Sequence, residues 1–215
     1  MDSKLIVALD LADSNQVLQI AKKISGEIFA VKLQWITVMD KGISIVKELS
    51  KMTKVLCDFK VADIPYTNSN IASRVANAGA WGIISHSFLG RDSLSAVVEA
   101  AGNMKVFSVV AMSHPGYSEF MKEHVHDLVE VSIDCGVYGM IAPGNDYKML
   151  REIRELAPDV KIAAPGVGAQ GGSAIKAMEA GADYVIVGRG VYGSADPIAS
   201  TRAINQEIWS ALGMI

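Results

Sequence analysis

Asp58 and Lys60 stand two residues apart near the end of an apolar, β-type run, Val55-Leu56-Cys57-Asp58-Phe59-Lys60-Val61. Side chains two apart on a strand share a face, so the acid and the base should point the same way. Burying opposite charges costs desolvation that their attraction rarely repays in full. Such a pair therefore suggests chemistry rather than stability. Asp63 follows three residues after Lys60, just past the run, and Ala62-Asp63-Ile64-Pro65-Tyr66-Thr67 reads as a turn into a helix. Taken locally, the alternative for Asp63 and Thr67 is helix capping beside Pro65.

Similar polar residues close other apolar runs. Asp10, Lys32, His86, Ser113 and Arg189 all fall at or near such ends. Lys32, Asp58, Lys60 and an aspartate should alternate in space, each lysine stabilising its acidic neighbours. A salt-bridge network that merely closes the fold is the bland alternative. Ala164-Pro165-Gly166-Val167-Gly168-Ala169-Gln170-Gly171-Gly172 and Val187-Gly188-Arg189-Gly190 follow two further runs. Glycines let backbone N–H groups approach an anion, and arginine adds a planar, bidentate donor. Together they predict an anionic, phosphate-like ligand.

The elements that must position these residues follow a repeating plan. Apolar runs at 5–10, 28–33, 54–60, 81–86, 105–112, 138–143, 161–166 and 184–189 alternate with amphipathic segments, at spacings of 23 to 33 residues. Each spacing holds one strand, one helix and two loops. The runs are almost continuously apolar, as parallel strands buried on both faces should be. Val17, Ile20, Ala21 and Ile24 keep helical spacing, as do Met149, Leu150, Ile153, Leu156 and Ala157. Ser14 and Asn145 are the expected N-caps, and Gly26, Gly79, Gly136 and Gly181 the expected helix ends. Eight βα units predict a single (β/α)₈ barrel domain over residues 1–215, an α/β TIM barrel; an open doubly wound sheet fits the even spacing less well. Function then gathers at the C-terminal ends of the strands. The longest connection, 113–123, is either a lid or a mere insertion.

Composition narrows the classes. Of 215 residues half are apolar and one fifth charged, with a net charge of −3, which gives no reason to expect nucleic acid as a partner. No apolar run reaches the roughly 18 residues of a membrane span. Met1-Asp2-Ser3-Lys4 leads straight into a strand without a basic segment or cleavage site, so a cytoplasmic protein is expected. Cys57 and Cys135 form no Cys-x-x-Cys pair, and Cys57 should face away from Asp58 as a small buried hydrophobe. His124 and His126 do not share a helix face, and no set of ligands has zinc spacing.

Asp58-x-Lys60-x-x-Asp63-Ile64-Pro65-x-Thr67 resembles the signature of the orotidine 5′-monophosphate decarboxylases. The resemblance covers the whole chain: Ala8-Leu9-Asp10, Val31-Lys32-Leu33, Met112-Ser113-His114-Pro115-Gly116, the 165–172 loop and Gly188-Arg189 stand in that family's order. The short chain is similar to the archaeal, single-function form. Sugar-phosphate decarboxylases and aldolases of the same superfamily share Asp-x-Lys-x-x-Asp but usually carry an acidic metal ligand at the end of strand 2. Lys32 near that end, with Ile64 and Thr67, favours the nucleotide decarboxylase.

The resemblance implies conversion of orotidine 5′-monophosphate to uridine 5′-monophosphate and CO₂, the last step of de novo uridylate synthesis, without metal or organic cofactor. It implies a charged catalytic set of Lys60, Asp58, Lys32 and Asp63, with Lys60 protonating pyrimidine C6. Asp58 would either repel the substrate carboxylate or orient Lys60, and both accounts stay open. Gln170 and Arg189 would hold the phosphate with N–H groups around Gly188 and the Gly166-Val167-Gly168 loop. Ser113 would contact the pyrimidine, Pro165 would pack near it, and Asp10 and Lys32 would bind ribose. Asp63, Ile64 and Thr67 would reach into a neighbouring subunit's site, which implies a homodimer.

Overall fold

The computed structural model describes residues 2–215. Eight parallel strands close into a barrel in sequence order, β1 pairing with both β2 and β8. They are β1 (Leu5–Ala8), β2 (Ala30–Gln34), β3 (Lys54–Val61), β4 (Gly82–His86), β5 (Lys105–Val109), β6 (Gly139–Ile141), β7 (Lys161–Pro165) and β8 (Tyr184–Val187). Helices α1 (Ser14–Ile24), α2 (Trp35–Lys41), α3 (Ser44–Leu49), α4 (Pro65–Asn77), α5 (Arg91–Ala101), α6 (Val125–Asp134), α7 (Tyr147–Leu156), α8 (Ala174–Glu179), α9 (Arg189–Tyr192) and α10 (Pro197–Ala211) complete the βα units. The predicted barrel is the observed one. Most runs were expected to continue too far at their C-terminal ends, because apolar residues such as Val110, Ala111 and Ala142 stay buried after the ladder stops.

Strand alternation builds two cores. Ile6, Ala30, Leu56, Ile84, Phe107, Ile141, Ala163 and Ile186 fill the barrel, while Leu5, Val7, Val31, Leu33, Val55, Cys57 and Phe59 face the helices. The interior interlocks tightly: a Cβ on Gly139 would lie 2.5 Å from the Phe107 ring, so only glycine leaves that ring its place. On the outside, α1 buries Val17, Ile20, Ala21 and Ile24, and α7 buries Met149, Leu150 and Ile153.

The caps correct the sequence reading. Asp13, not Ser14, caps α1, its carboxylate accepting from the Asn15 and Gln16 N–H groups. Asp146, not Asn145, caps α7, because Asn145 turns its amide toward the Gln170 carbonyl at 3.5 Å. Gly79, Gly136 and Gly181 do end their helices with positive φ; α1 instead ends at Ser25, and Gly26 adopts no such conformation. The 113–123 connection folds into two 3₁₀ turns, Pro115–Glu119 and Lys122–His124.

Candidate active site

One cavity opens at the C-terminal ends of the strands. Asp10, Lys32, Asp58, Lys60, Ser113, Pro165, Gly166, Val167, Gln170, Gly188 and Arg189 line it, and Ala8, Ile84, Val109, Ile141 and Ile186 form its apolar floor. The ladder explains the polar side. Ala8 pairs with Lys32 and Gln34 with Asp58, which brings side chains of neighbouring strands to one level. The Lys32 Nζ lies 2.9 Å from Asp10 Oδ1 and 2.8 Å from Asp58 Oδ2, and Lys60 Nζ lies 2.7 Å from Asp58 Oδ1. The order Asp10–Lys32–Asp58–Lys60 thus alternates in sign.

Burial grades the array. Lys32 and Asp58 are almost wholly buried, whereas the side chains of Asp10 and Lys60 are each 36% exposed at the cavity. Burial opposes charge on Asp58, but Lys32 and then Lys60 outweigh it and hold the carboxyl below its ordinary range. Burial likewise pulls against the Lys32 ammonium, but Asp58 and Asp10 outweigh it and raise its pKa. Both groups are therefore ionised at neutral pH. Cys57, on the opposite face of β3 as expected, has its thiol pushed up to about 12 by burial and by Asp58, so it is a protonated core residue.

The second half of the cavity pairs a glycine-rich loop with an arginine. Gly166, Gly168 and Gly171 all have positive φ, and the loop folds back on itself: Gly168 N–H donates to Gly172 O at 2.8 Å and Gly172 N–H to Gly166 O at 3.0 Å. A Cβ on Gly172 would stand 2.6 Å from Gly166 O and 2.7 Å from Gly144 O, so this closure needs glycine. Gly168 shapes the loop without lining the cavity. Gly188 caps the short α9, whose first residue is Arg189. The Arg189 guanidinium is exposed on the cavity wall and, among the described residues, forms no intramolecular ion pair.

Three residues expected to serve a neighbouring subunit's site lie outside the protomer's own cavity. Asp63, Ile64 and Thr67 do not line the cavity; Asp63 and Ile64 are exposed. Nor do Asp63 and Thr67 cap α4. Ile64 is its N-cap residue, and Asp63 Oδ1 accepts only from the adjoining Ile64 N–H, at 2.7 Å. Conversely, Gln34 was overlooked. Its Nε2 lies 3.3 Å from Asp58 Oδ2, and its place two residues after Lys32 on β2 was the available signal. Tyr192, three residues after Arg189 and so on the same helix face, also lines the cavity. His86 ends β4 behind this array with its Nδ1 unpartnered among the described residues; burial first, then Lys60, depresses its pKa to about 4. Among the described residues, no cluster of His, Cys, Asp and Glu could hold a metal ion.

Known proteins match this arrangement over nearly its full extent. Residues 3–204 match the model of the Orotidine 5′-phosphate decarboxylase / HUMPS family. The orotidine 5′-phosphate decarboxylase of Thermoplasma acidophilum is 52% identical over 211 residues, which is 98% of each chain. The crystal structure of the Methanocaldococcus jannaschii orotidine 5′-monophosphate decarboxylase complexed with the inhibitor BMP superposes with a TM-score of 0.91 at 36% identity, covering 97% of this chain and 99% of that one. That of the Pyrococcus horikoshii OT3 enzyme does so at 0.89 and 39% identity, over 95% and 98%. A closed barrel, a charge array on its rim and identity sustained from end to end agree: the chain belongs to the Orotidine 5′-phosphate decarboxylase / HUMPS family.

Proposed function

We propose that this protein decarboxylates orotidine 5′-monophosphate to uridine 5′-monophosphate and CO₂, the closing step of uridylate synthesis, with the whole chain acting as one barrel domain in the cytoplasm. The observation that carries the reading is the Asp10–Lys32–Asp58–Lys60 array, in which a buried lysine stands near the end of β2. Loss of the carboxylate leaves an electron pair on C6 with no conjugated sink. Fixed charge must stabilise it. The Lys60 ammonium supplies that charge, then transfers one proton to C6; the neutral amine regains its proton from solvent.

Both Asp58 oxygens are already engaged by lysines, at 2.8 and 2.7 Å. This supports Asp58 chiefly as the group that orients Lys60. Asp10 and Lys32 bind the ribose, Ser113 and Pro165 the pyrimidine, and Gln170, Arg189 and the Gly166, Val167 and Gly188 backbone the phosphate, with Gly168 shaping the loop that carries them. The 113–123 segment, which carries Ser113 to the cavity, is the closing element. Binding energy from the remote phosphate then serves the reacting carbon through loop closure.

The working unit is a homodimer in which Asp63, Ile64 and Thr67 complete the partner's site and Asp63 joins the charged set. Two facts support this. These residues lie outside their own cavity, and the surrounding surface is apolar: Trp35, Ile36 and Met39 of α2 are exposed, as are Ile64 and Tyr66 at the start of α4. These helices follow neighbouring strands, and an apolar face of this kind marks an association surface.

The test is turnover of orotidine 5′-monophosphate followed by loss of pyrimidine absorbance, with chelator present. Undiminished turnover is expected; turnover of a sugar phosphate that requires added metal would assign the alternative branch. Mixing Lys60→Ala with Asp63→Ala chains tests the shared site. A mixed dimer holds one unmutated site and one doubly damaged site, so activity should return to a substantial fraction of wild type. Verified heterodimers that stay inactive would refute sharing.

A further inference from the structure

We propose that Trp35 and Ser85 are positioning residues that hold Lys60 in its working backbone conformation; the proposal rests on the reading of Lys60 as the proton donor. Lys60 has φ of 44°, and it is the one non-glycine residue with positive φ among the described residues. A left-handed backbone is disfavoured for a residue with a Cβ and persists only where its surroundings enforce it. Regular pairing does not do so here. The β2–β3 ladder ends at the Gln34↔Asp58 pair. On the other side the β3–β4 register passes from Cys57↔Ile83 to Val61↔Ser85, so β3 advances four residues while β4 advances two. Phe59 and Lys60 therefore sit in a bulge, which re-aims side chains beside sites.

Two side-chain donors bracket that bulge. The Trp35 indole Nε1–H donates to Phe59 O at 3.0 Å, and its ring stacks on the Phe59 ring at 4.1 Å between centroids and 20° between planes. Phe59 O belongs to the peptide plane that leads into Lys60, and the φ of Lys60 is the torsion that would swing that plane. On the far side the buried Ser85 hydroxyl donates to Val61 O at 2.8 Å. Neither Trp35 nor Ser85 lines the cavity, so both act through Lys60. Trp35 opens α2, directly after the strand that carries Lys32 and Gln34, so the clamp ties the two lysine-bearing strands together at the rim.

The test compares Trp35→Phe, which keeps the ring and removes the donor, with Ser85→Ala and Ser85→Thr. Wild-type turnover of orotidine 5′-monophosphate is measured first. In Trp35→Phe and Ser85→Ala, kcat should fall about three- to tenfold each, the weight of one hydrogen bond. KM and the affinity for uridine 5′-monophosphate should stay within about twofold. Ser85→Thr, which retains the hydroxyl, should recover most of the lost kcat. Sedimentation separates any effect of the partly exposed Trp35 on subunit association, and the buried Ser85 decides the matter if association changes. A kcat within twofold of wild type in both donor-less variants overturns the proposal, as does a loss of affinity that matches the loss of kcat. If the wild type turns over no orotidine 5′-monophosphate, the decarboxylase reading fails separately. The clamp is then judged from crystal structures of Trp35→Phe and Ser85→Ala, and an unchanged positive φ at Lys60 in both refutes it.

Discussion

Replacing Asp58 by asparagine should destabilise the fold, whereas removing Asp58 and Lys32 together should cost much less. Asp58 and Lys32 lie 2.8 Å apart, with side chains 6% and 5% exposed. At a charge separation near 4 Å and an effective dielectric constant of about 20, that attraction is about 4 kcal/mol. The Lys60 contact adds about 1 kcal/mol, discounted because Lys60 reaches solvent. Asparagine removes both attractions and regains only part of the desolvation cost. It also leaves the buried Lys32 ammonium facing Lys60 with only Asp10 to offset it. The net loss should be about 3–5 kcal/mol. In Lys32→Met/Asp58→Leu no charge remains at the buried positions, and Asp10 and Lys60, each 36% exposed, are free to hydrate. The double variant should therefore lie within about 1.5 kcal/mol of wild type. The assay is reversible urea unfolding near pH 7.5. The folded pKa of Asp58 is depressed, so its contribution is present above the unfolded value of about 3.9 and is lost as pH falls through the folded value. That of Lys32 is raised, so its contribution is complete below the unfolded value of about 10.4 and is lost as pH rises through the folded value. Both contributions are thus present at the assay pH. An asparagine variant as stable as wild type, or a double variant that costs as much as the asparagine variant, would refute the reasoning.

Two other perturbations address Arg189 on the cavity wall and His86 at the end of β4. Arg189→Met should lower kcat/KM for orotidine 5′-monophosphate by about 10- to 100-fold, the weight of a charge-assisted contact to phosphate, while leaving the urea midpoint unchanged, since Arg189 is exposed and unpaired among the described residues; steady-state kinetics with parallel unfolding checks both halves. His86 should make the fold sensitive to mild acid. Its folded pKa of about 4 lies below the ordinary 6.5, so between those values the unfolded chain binds the extra proton, and up to about 3 kcal/mol present above pH 6.5 is lost as pH falls toward 4. His86→Gln should flatten that part of the stability–pH curve measured by urea unfolding, and an unchanged slope would count against a buried neutral imidazole.

The barrel was legible because both of its cores leave a periodic trace. Parallel strands buried on both faces read as continuous apolar runs, and α1 and α7 show their buried stripes at helical spacing. Boundaries were less legible. A residue such as Val110 is equally apolar whether it pairs in a ladder or packs beneath a loop, so the predicted fifth strand overran the observed end at Val109. Capping failed at the same scale: Asp13 and Ser14 are both competent caps, and only the path of the backbone decides between them.

The site divides along a different line. Residue type and the two-residue rule were enough to place Asp58 and Lys60 on the cavity side of β3 and Cys57 on the other, and the rule applied to β2 would have added Gln34. A one-dimensional rule cannot show how far a side chain is turned within its face. Uniform strand geometry carries no bulge, yet Lys60 reaches Asp58 at 2.7 Å from a left-handed backbone, inside a register shift that neither the apolar pattern nor any glycine announces. The information is non-local. It lies in an indole one strand earlier and a hydroxyl one strand later, which the closed barrel brings against the carbonyls on either side of Lys60. The identities of the charged residues are thus written in the β3 run itself, while their geometry is held from β4 and the start of α2. A substitution at Trp35 or Ser85 can therefore alter the chemistry of a lysine whose own segment is untouched.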